Sequence, residues 1–315
     1  MGYSLFDKKA WADKIRSTDE SERRSIVLPT PTGYVELNVP QGAVEEYEAR
    51  EKRKFKPLDT PENLRSNLKE LADADEISDF ALENDLCDYC DFGGLYAEAA
   101  RCLVSVVLEC CLKYPLLRAK TCFIGSVDAF CERMKEAAEG NGEVIVQFGL
   151  EKIIDDTSEL KKIGEAAYLS MCAQKKKKDD YLAFASNHSG FFDAVVLDPQ
   201  DFGSNAFSEQ EELLKYNVEI GFHPEGCGSI EYVIYHEMGH LLDYILDVSN
   251  SDEFENMKKD YKPADITCEL CRYAAYNSQE MLAEAFAEYF CNKKPRPLAK
   301  MIGLMIDRAY AAKKF

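Results

Sequence analysis

Residues Tyr235 to Leu246 read YHEMGHLLDYIL, and they place two of the chain's four histidines one helical turn apart around a glutamate. At this histidine and glutamate content a His-Glu-x-x-His pattern arises by chance roughly 0.005 times in a chain of this length, so it calls for a chemical reading. The flanks YVIY and LLDYIL are strongly apolar, which predicts a helix over Ile230 to Leu246 with Ser229 as its N-cap. On that helix His236 and His240 face the same way and can reach one ion at about 2.0 to 2.1 Å. Glu237 then lies beside the ion, where a general base must stand if it is to deprotonate water without occupying a coordination position. Asp243 falls on the same stripe and is expected to accept a histidine N–H. Gly239 removes a side chain where another backbone passes close. Without an ion, imidazoles aimed at an apolar core would need other hydrogen-bond partners.

Two histidines do not complete a zinc site, which takes three protein ligands and an open position when it is catalytic. Downstream, RYAAYNSQEMLAEAFAEYF offers Glu280, Glu284 and Glu288 on one helical face. Spacing alone does not choose between them. Glu280 has a competing structural role, because Asn277 followed three residues later by glutamate fits a capping box.

HEMGHLLD followed by Tyr273, Glu280 and EMLAEAF resembles the zinc-peptidase domain of the anthrax lethal factor family, which is related to the Pro-Pro endopeptidases. The shared pattern is HExGH with a trailing Asp, then a Tyr seven residues before a Glu that opens an AEAF helix. The resemblance runs from Gly226 to Phe290 and departs from the pattern at Met281 and Leu282, where aromatics are common. It implies zinc ligation by His236, His240 and Glu280, with Glu237 as general base. It also implies Tyr273 as donor to the oxyanion and Glu284 as a supporting acid. Tyr276 is a rival donor but does not match the spacing. A looser similarity links the HP, Gly-rich turn, histidine helix and AEAFA order to zinc-peptidase-like domains of phage and prophage head-associated proteins.

The rest of the chain sets the frame. With 315 residues, 46% hydrophobic and 30% charged, it has the composition of a globular protein. The longest apolar candidate, LYAEAARCLVSVVLECCLKY, is broken by Glu98, Arg101 and Glu109, so no membrane span is expected. The opening MGYSLFDKKAWADKIR has no signal-like apolar core, and a cytoplasmic protein is expected. Net charge is -19, with eleven acids against Arg65 and Lys69 between Asp59 and Asp91, which disfavours nucleic acid and anionic lipid as partners. The KKKK run at Lys175 to Lys178 precedes DD and reads as a solvated loop. Cysteine pairs CDYC (Cys87 to Cys90) and CELC (Cys268 to Cys271) are too far apart in sequence for a zinc ribbon and read as core thiols in helices. His188 and His223 lie in loop-like stretches and read as surface imidazoles.

The pattern of elements predicts an α+β fold, mostly helical and zincin-like, with a small sheet. An accessory region of residues 1–114 would carry a short hairpin in SIVLPTPTGYVELNV and helices from Pro61 to Lys113, ended by Pro115. The peptidase domain would occupy residues 115–315, with strands in TCFIG, EVIVQFG, YLAFASN and FFDAVVLD. Either of the last two could be an edge strand that pairs with substrate, or an interior one. The expected function is a zinc-dependent endopeptidase, one Zn2+ per chain, acting on a protein or peptide. The alternative is a structural or interaction protein of a phage or mobile element that carries the module.

Overall fold

The strand candidates align only when residues far apart in sequence meet, so the sheet is the part of the fold that periodicity cannot supply. The computed structural model describes residues 23–30, 33–40, 58, 60–138, 182–186 and 193–313. EVIVQFG, the lysine run and His188 lie outside them. The hairpin is present: β1 (Arg23–Thr30) pairs antiparallel with β2 (Gly33–Pro40), Ile26 opposite Leu37.

Helices α1 (Pro61–Glu70) and α2 (Ala74–Glu83) follow, and each has a readable start. Pro61 supplies the fixed φ of a first turn, and Asp73 accepts a hydrogen bond from Glu76 N at 2.8 Å. The helical pattern expected from Pro61 to Lys113 is interrupted. Asp85 turns left-handed after α2, at φ 53°, and Tyr89–Asp91 forms a strand, β3, before α3 (Ala97–Lys113). A three-residue strand is too short to show a period of its own. Helix α3 stops before Pro115, and α4 (Leu116–Lys120), β4 (Phe123–Ser126) and α5 (Val127–Ala138) come next.

Strands β5 (Ala183–Ser186) and β6 (Ala194–Leu197) complete a sheet in the order β3-β4-β6-β5. β3, β4 and β6 run parallel and β5 is antiparallel to β6. The fold is α+β as expected, although the route from β3 through α3 to β4 is a parallel crossover. Every residue of β4 and β6 is buried, as continuous apolar runs inside a sheet require. Among the described residues β6 is interior and β5 is the edge.

The remainder is helical: α6 (Pro199–Phe202), α7 (Phe207–Glu219), α8 (Ile230–Leu246), α9 (Asp252–Lys259), α10 (Pro263–Glu269), a 3-10 turn at Tyr273–Ala275, α11 (Ser278–Cys291) and α12 (Pro297–Ala312). Helix α8 is central, packed against α3, α11, β5 and β6. Its Ile230, Ile234, Met238, Leu241 and Leu242 are buried, each contributing about 1.5 to 3 kcal/mol relative to exposure. A Cβ at Gly239 would stand 3.1 Å from Ala283 Cα and 3.2 Å from Phe286 Cβ, so the close approach expected there is made by α11. Ser229 holds the N-cap position without a side-chain cap bond. Among the described residues one apolar cluster joins side chains between Leu64 and Ile306, including Tyr114 and Leu117 on either side of the expected boundary. No helix among the described residues is long and apolar enough to cross a membrane.

Candidate metal centre

Helical spacing on α8 brings the two imidazoles together, with His236 Nε2 3.0 Å from His240 Nε2. The third group comes from the first turn of α11. Asn277 caps that helix by accepting from the backbone nitrogen of Glu280 at 2.8 Å, so the glutamate's backbone serves the helix and its carboxylate is left to project. Glu280 Oε2 lies 3.1 Å from His236 Nε2 and 3.3 Å from His240 Nε2. His236, His240 and Glu280 form the one such group of possible metal ligands among the described residues.

Three observations test the fit to a metal. Ligand atoms on a tetrahedral ion at about 2.0 to 2.1 Å stand about 3.3 to 3.4 Å apart, close to the triangle seen here. Glu280 Oε2 is buried without a well-aligned hydrogen bond, and an orphaned carboxylate oxygen facing two imidazole nitrogens calls for a positive charge among them. The three side chains keep 9%, 12% and 17% of their surface exposed, so the group is not sealed from solvent, as a centre that exchanges water requires. Two histidines and a carboxylate are a donor set that suits zinc.

Behind His236 stands Glu284, one turn along α11 and wholly buried. Its Oε1 is 3.1 Å from His236 Nδ1 and accepts from the Tyr232 hydroxyl at 2.6 Å, while Cys271 Sγ lies 3.4 Å from Oε2. Burial pushes the Glu284 carboxyl upward, but the nearby imidazoles of His223 and His236 outweigh it and hold the group at about 2. Burial likewise works against a charge on His236, yet Glu280 and Glu284 raise its pKa well above the ordinary value. Glu280 is depressed, with burial opposed by the two histidines.

Glu237 is buried beside β5, where it bonds the Ala185 backbone, and it lies close enough to His236, His240 and Glu280 to interact with their charges. Burial raises its pKa, with His236 and His240 acting in the other direction. Tyr273 sits on the 3-10 turn that precedes α11, its ring 5.8 Å from that of His236 and tilted by 31°. Tyr276, the rival donor, is 81% exposed and is turned out to solvent.

Several expectations are corrected. Asp243 accepts from Ser249 N at 2.8 Å and from Ser249 Oγ at 2.5 Å, holding the turn after α8 where Asp247 is left-handed. It bonds neither histidine among the described contacts, and Glu284 is the carboxylate that faces His236 Nδ1. Glu288 is fully buried and grips Arg296, accepting from its backbone nitrogen at 2.8 Å and from Nη2 at 2.7 Å. Cys87, Cys90 and Cys271 are buried thiols that lie outside helices, and Cys268 is exposed.

His223 is the largest surprise. Read as a surface residue, it is folded inward, its Nδ1 2.6 Å from the Tyr232 hydroxyl and its ring 4.8 Å from the Tyr232 ring. The signal available in the sequence was the neighbouring pair Phe222 and Pro224, which stiffens the loop, and it does not reveal the partner.

Comparison of the chain with known protein families, with characterised proteins and with solved structures finds no match, so the functional reading rests on the geometry of this centre.

Proposed function

We propose that this chain is a zinc-dependent endopeptidase, with His236, His240 and Glu280 holding the metal and Glu237 as general base on a zincin-like scaffold. The observation that carries the reading is the convergence of three donor atoms 3.0 to 3.3 Å apart, with the separate buried carboxylate of Glu237 next to them. A bound zinc supplies Lewis acidity, lowering the pKa of water toward about 7 and polarising a carbonyl.

The protein's own groups account for the remaining steps. Glu237 takes the proton of the attacking water and delivers it to the leaving amine. Burial moves its pKa upward, toward the neutral range in which a base that must later act as an acid works best. The Tyr273 hydroxyl donates to the carbonyl oxygen as it gains charge, and Glu284 keeps His236 oriented. Strand β5, at the sheet edge and bonded to Glu237 through Ala185, is the element along which an extended peptide substrate would lie.

Zinc content and cleavage of a peptide library test the reading together. One zinc per chain is expected, with cleavage lost on chelation and restored by zinc. Glu237→Gln should retain the metal and lose hydrolysis, because an amide keeps the shape without the basicity. Cleavage at the wild-type rate in that variant would remove Glu237 from the mechanism.

A further inference from the structure

Four polar side chains stand in line behind the centre, and donor counting fixes which atom carries each proton. Glu284 accepts from the Tyr232 hydroxyl on Oε1 and from the Cys271 thiol on Oε2, and His236 Nδ1 stands 3.1 Å from Oε1 without an aligned hydrogen bond, so the carboxylate acts as an acceptor throughout. The Tyr232 hydroxyl owns one proton and gives it to Glu284 Oε1 at 2.6 Å. Its oxygen is therefore free only to accept, and the 2.6 Å contact with His223 Nδ1 requires the hydrogen to be on the histidine. The direct separation between His223 Nδ1 and Glu284 Oε1 is 3.8 Å, too long for a hydrogen bond, so the link passes through Tyr232.

We propose that His223 is a positioning residue. Through Tyr232 it holds Glu284 so that His236 donates from Nδ1 and aims the lone pair of Nε2 at the metal position. This rests on the metal-centre reading above. The loop that carries His223 is itself anchored beside the site: Arg272 N donates to Gly221 O at 3.0 Å, Tyr273 N donates to Phe222 O at 3.3 Å, and the Phe222 and Tyr273 rings lie 5.5 Å apart. One loop thus braces both Glu284, the carboxylate that faces His236 Nδ1, through two hydrogen bonds, and Tyr273, through its backbone. A partner that orients a ligand histidine in this way is commonly worth 10 to 100-fold in metal affinity.

Two readouts on the full chain test the proposal. In the metal-free protein with 15N-labelled histidine, the His223 Nδ1 proton should give a slowly exchanging resonance. That resonance should be absent in His223→Ala and shifted or lost in Tyr232→Phe. Zinc affinity, measured by competition with a chromophoric chelator, should fall about tenfold or more in each of these variants and no further when they are combined. His223→Asn, whose amide N–H can donate from near the position of Nδ1, should recover most of the loss. A resonance indifferent to Tyr232→Phe overturns the proposal, as do additive losses without recovery in His223→Asn. Failure of the wild-type protein to bind zinc would overturn the metal-centre reading instead, and the Nδ1 resonance would then decide the role of His223 alone.

Discussion

Glu280 Oε2 lies 3.1 Å from His236 Nε2 while the backbone nitrogen of the same glutamate is capped by Asn277. Capping and ligation therefore do not compete at this residue, because they use different atoms. The consequence is that the helix start and the third donor position are one device: the cap fixes the first turn of α11, and the first turn fixes where the carboxylate reaches.

The three glutamates of α11 should separate cleanly under substitution by glutamine. Glu280→Gln should weaken zinc binding by more than 100-fold with little change in thermal stability, since its cap uses the backbone. Glu284→Gln should cost about 10 to 100-fold in affinity. Glu288→Gln should leave zinc affinity near normal and lower stability by up to about 3 kcal/mol, because it weakens a buried ion pair with Arg296. Chelator competition and urea unfolding on all three, at one pH, check the pattern. A normal Glu280→Gln beside a crippled Glu284→Gln would move the third ligand one turn along the helix.

Gly239→Ala tests the contact between the two helices that carry the ligands. The added methyl would meet Ala283 Cα at 3.1 Å and Phe286 Cβ at 3.2 Å, atoms that move only if a helix moves. A destabilisation of about 1 to 3 kcal/mol is expected, together with weaker zinc binding, because Glu280 is displaced relative to His236 and His240. Unchanged melting and unchanged affinity would show that α8 and α11 have slack at this point.

Tyr273→Phe and Tyr276→Phe should differ. Removal of a donor that acts only on the developing oxyanion lowers kcat about 100-fold and leaves KM and zinc content nearly intact. Tyr276 is exposed, and its hydroxyl should be dispensable. Steady-state kinetics on a peptide cleaved by the wild-type protein would show it, and equal losses in both variants would break the assignment.

What was legible in the sequence was local. His236, Glu237 and His240 follow from a spacing of four on a helix, and Gly239 from the absence of a side chain on the same face. Two-residue periodicity and turn residues sufficed for the hairpin of β1 and β2. The failures all involve partners distant in sequence. His223 looked like a loop imidazole because Tyr232 lies nine residues on and Glu284 a further 52, and no local pattern joins them. Asp243 was given to a histidine because helical periodicity puts it on that stripe, whereas the left-handed turn at Asp247 brings Ser249 back onto it. Parallel pairing of β3, β4 and β6 depends on crossovers that carry no short-range signature, and the strand order they produce, with β5 outside β6, decides that β5 is an edge.

The pH dependence of zinc binding has a definite sign. In the metal-free protein burial disfavours charge on His236, but Glu280 and Glu284 prevail, and its pKa rises well above the ordinary value of about 6.5. A raised folded-state value stabilises the metal-free protein fully below about 6.5, and that contribution is lost as pH climbs through the folded value. Zinc must displace the same proton, so its apparent affinity should increase by up to about tenfold per pH unit through the neutral range from His236 alone. On the acid side Glu284, held at about 2, contributes stability above its ordinary value of about 4.3, and that contribution is lost as pH falls toward 2. Calorimetric titration with zinc at pH 7, in two buffers of different ionisation heat, should register proton release attributable to His236, reduced in Glu284→Gln where one of the two carboxylates that raise its pKa is neutralised. Zinc binding with no proton release at pH 7 would mean that His236 is already neutral in the metal-free protein, and that the charge demanded by Glu280 is met in some other way.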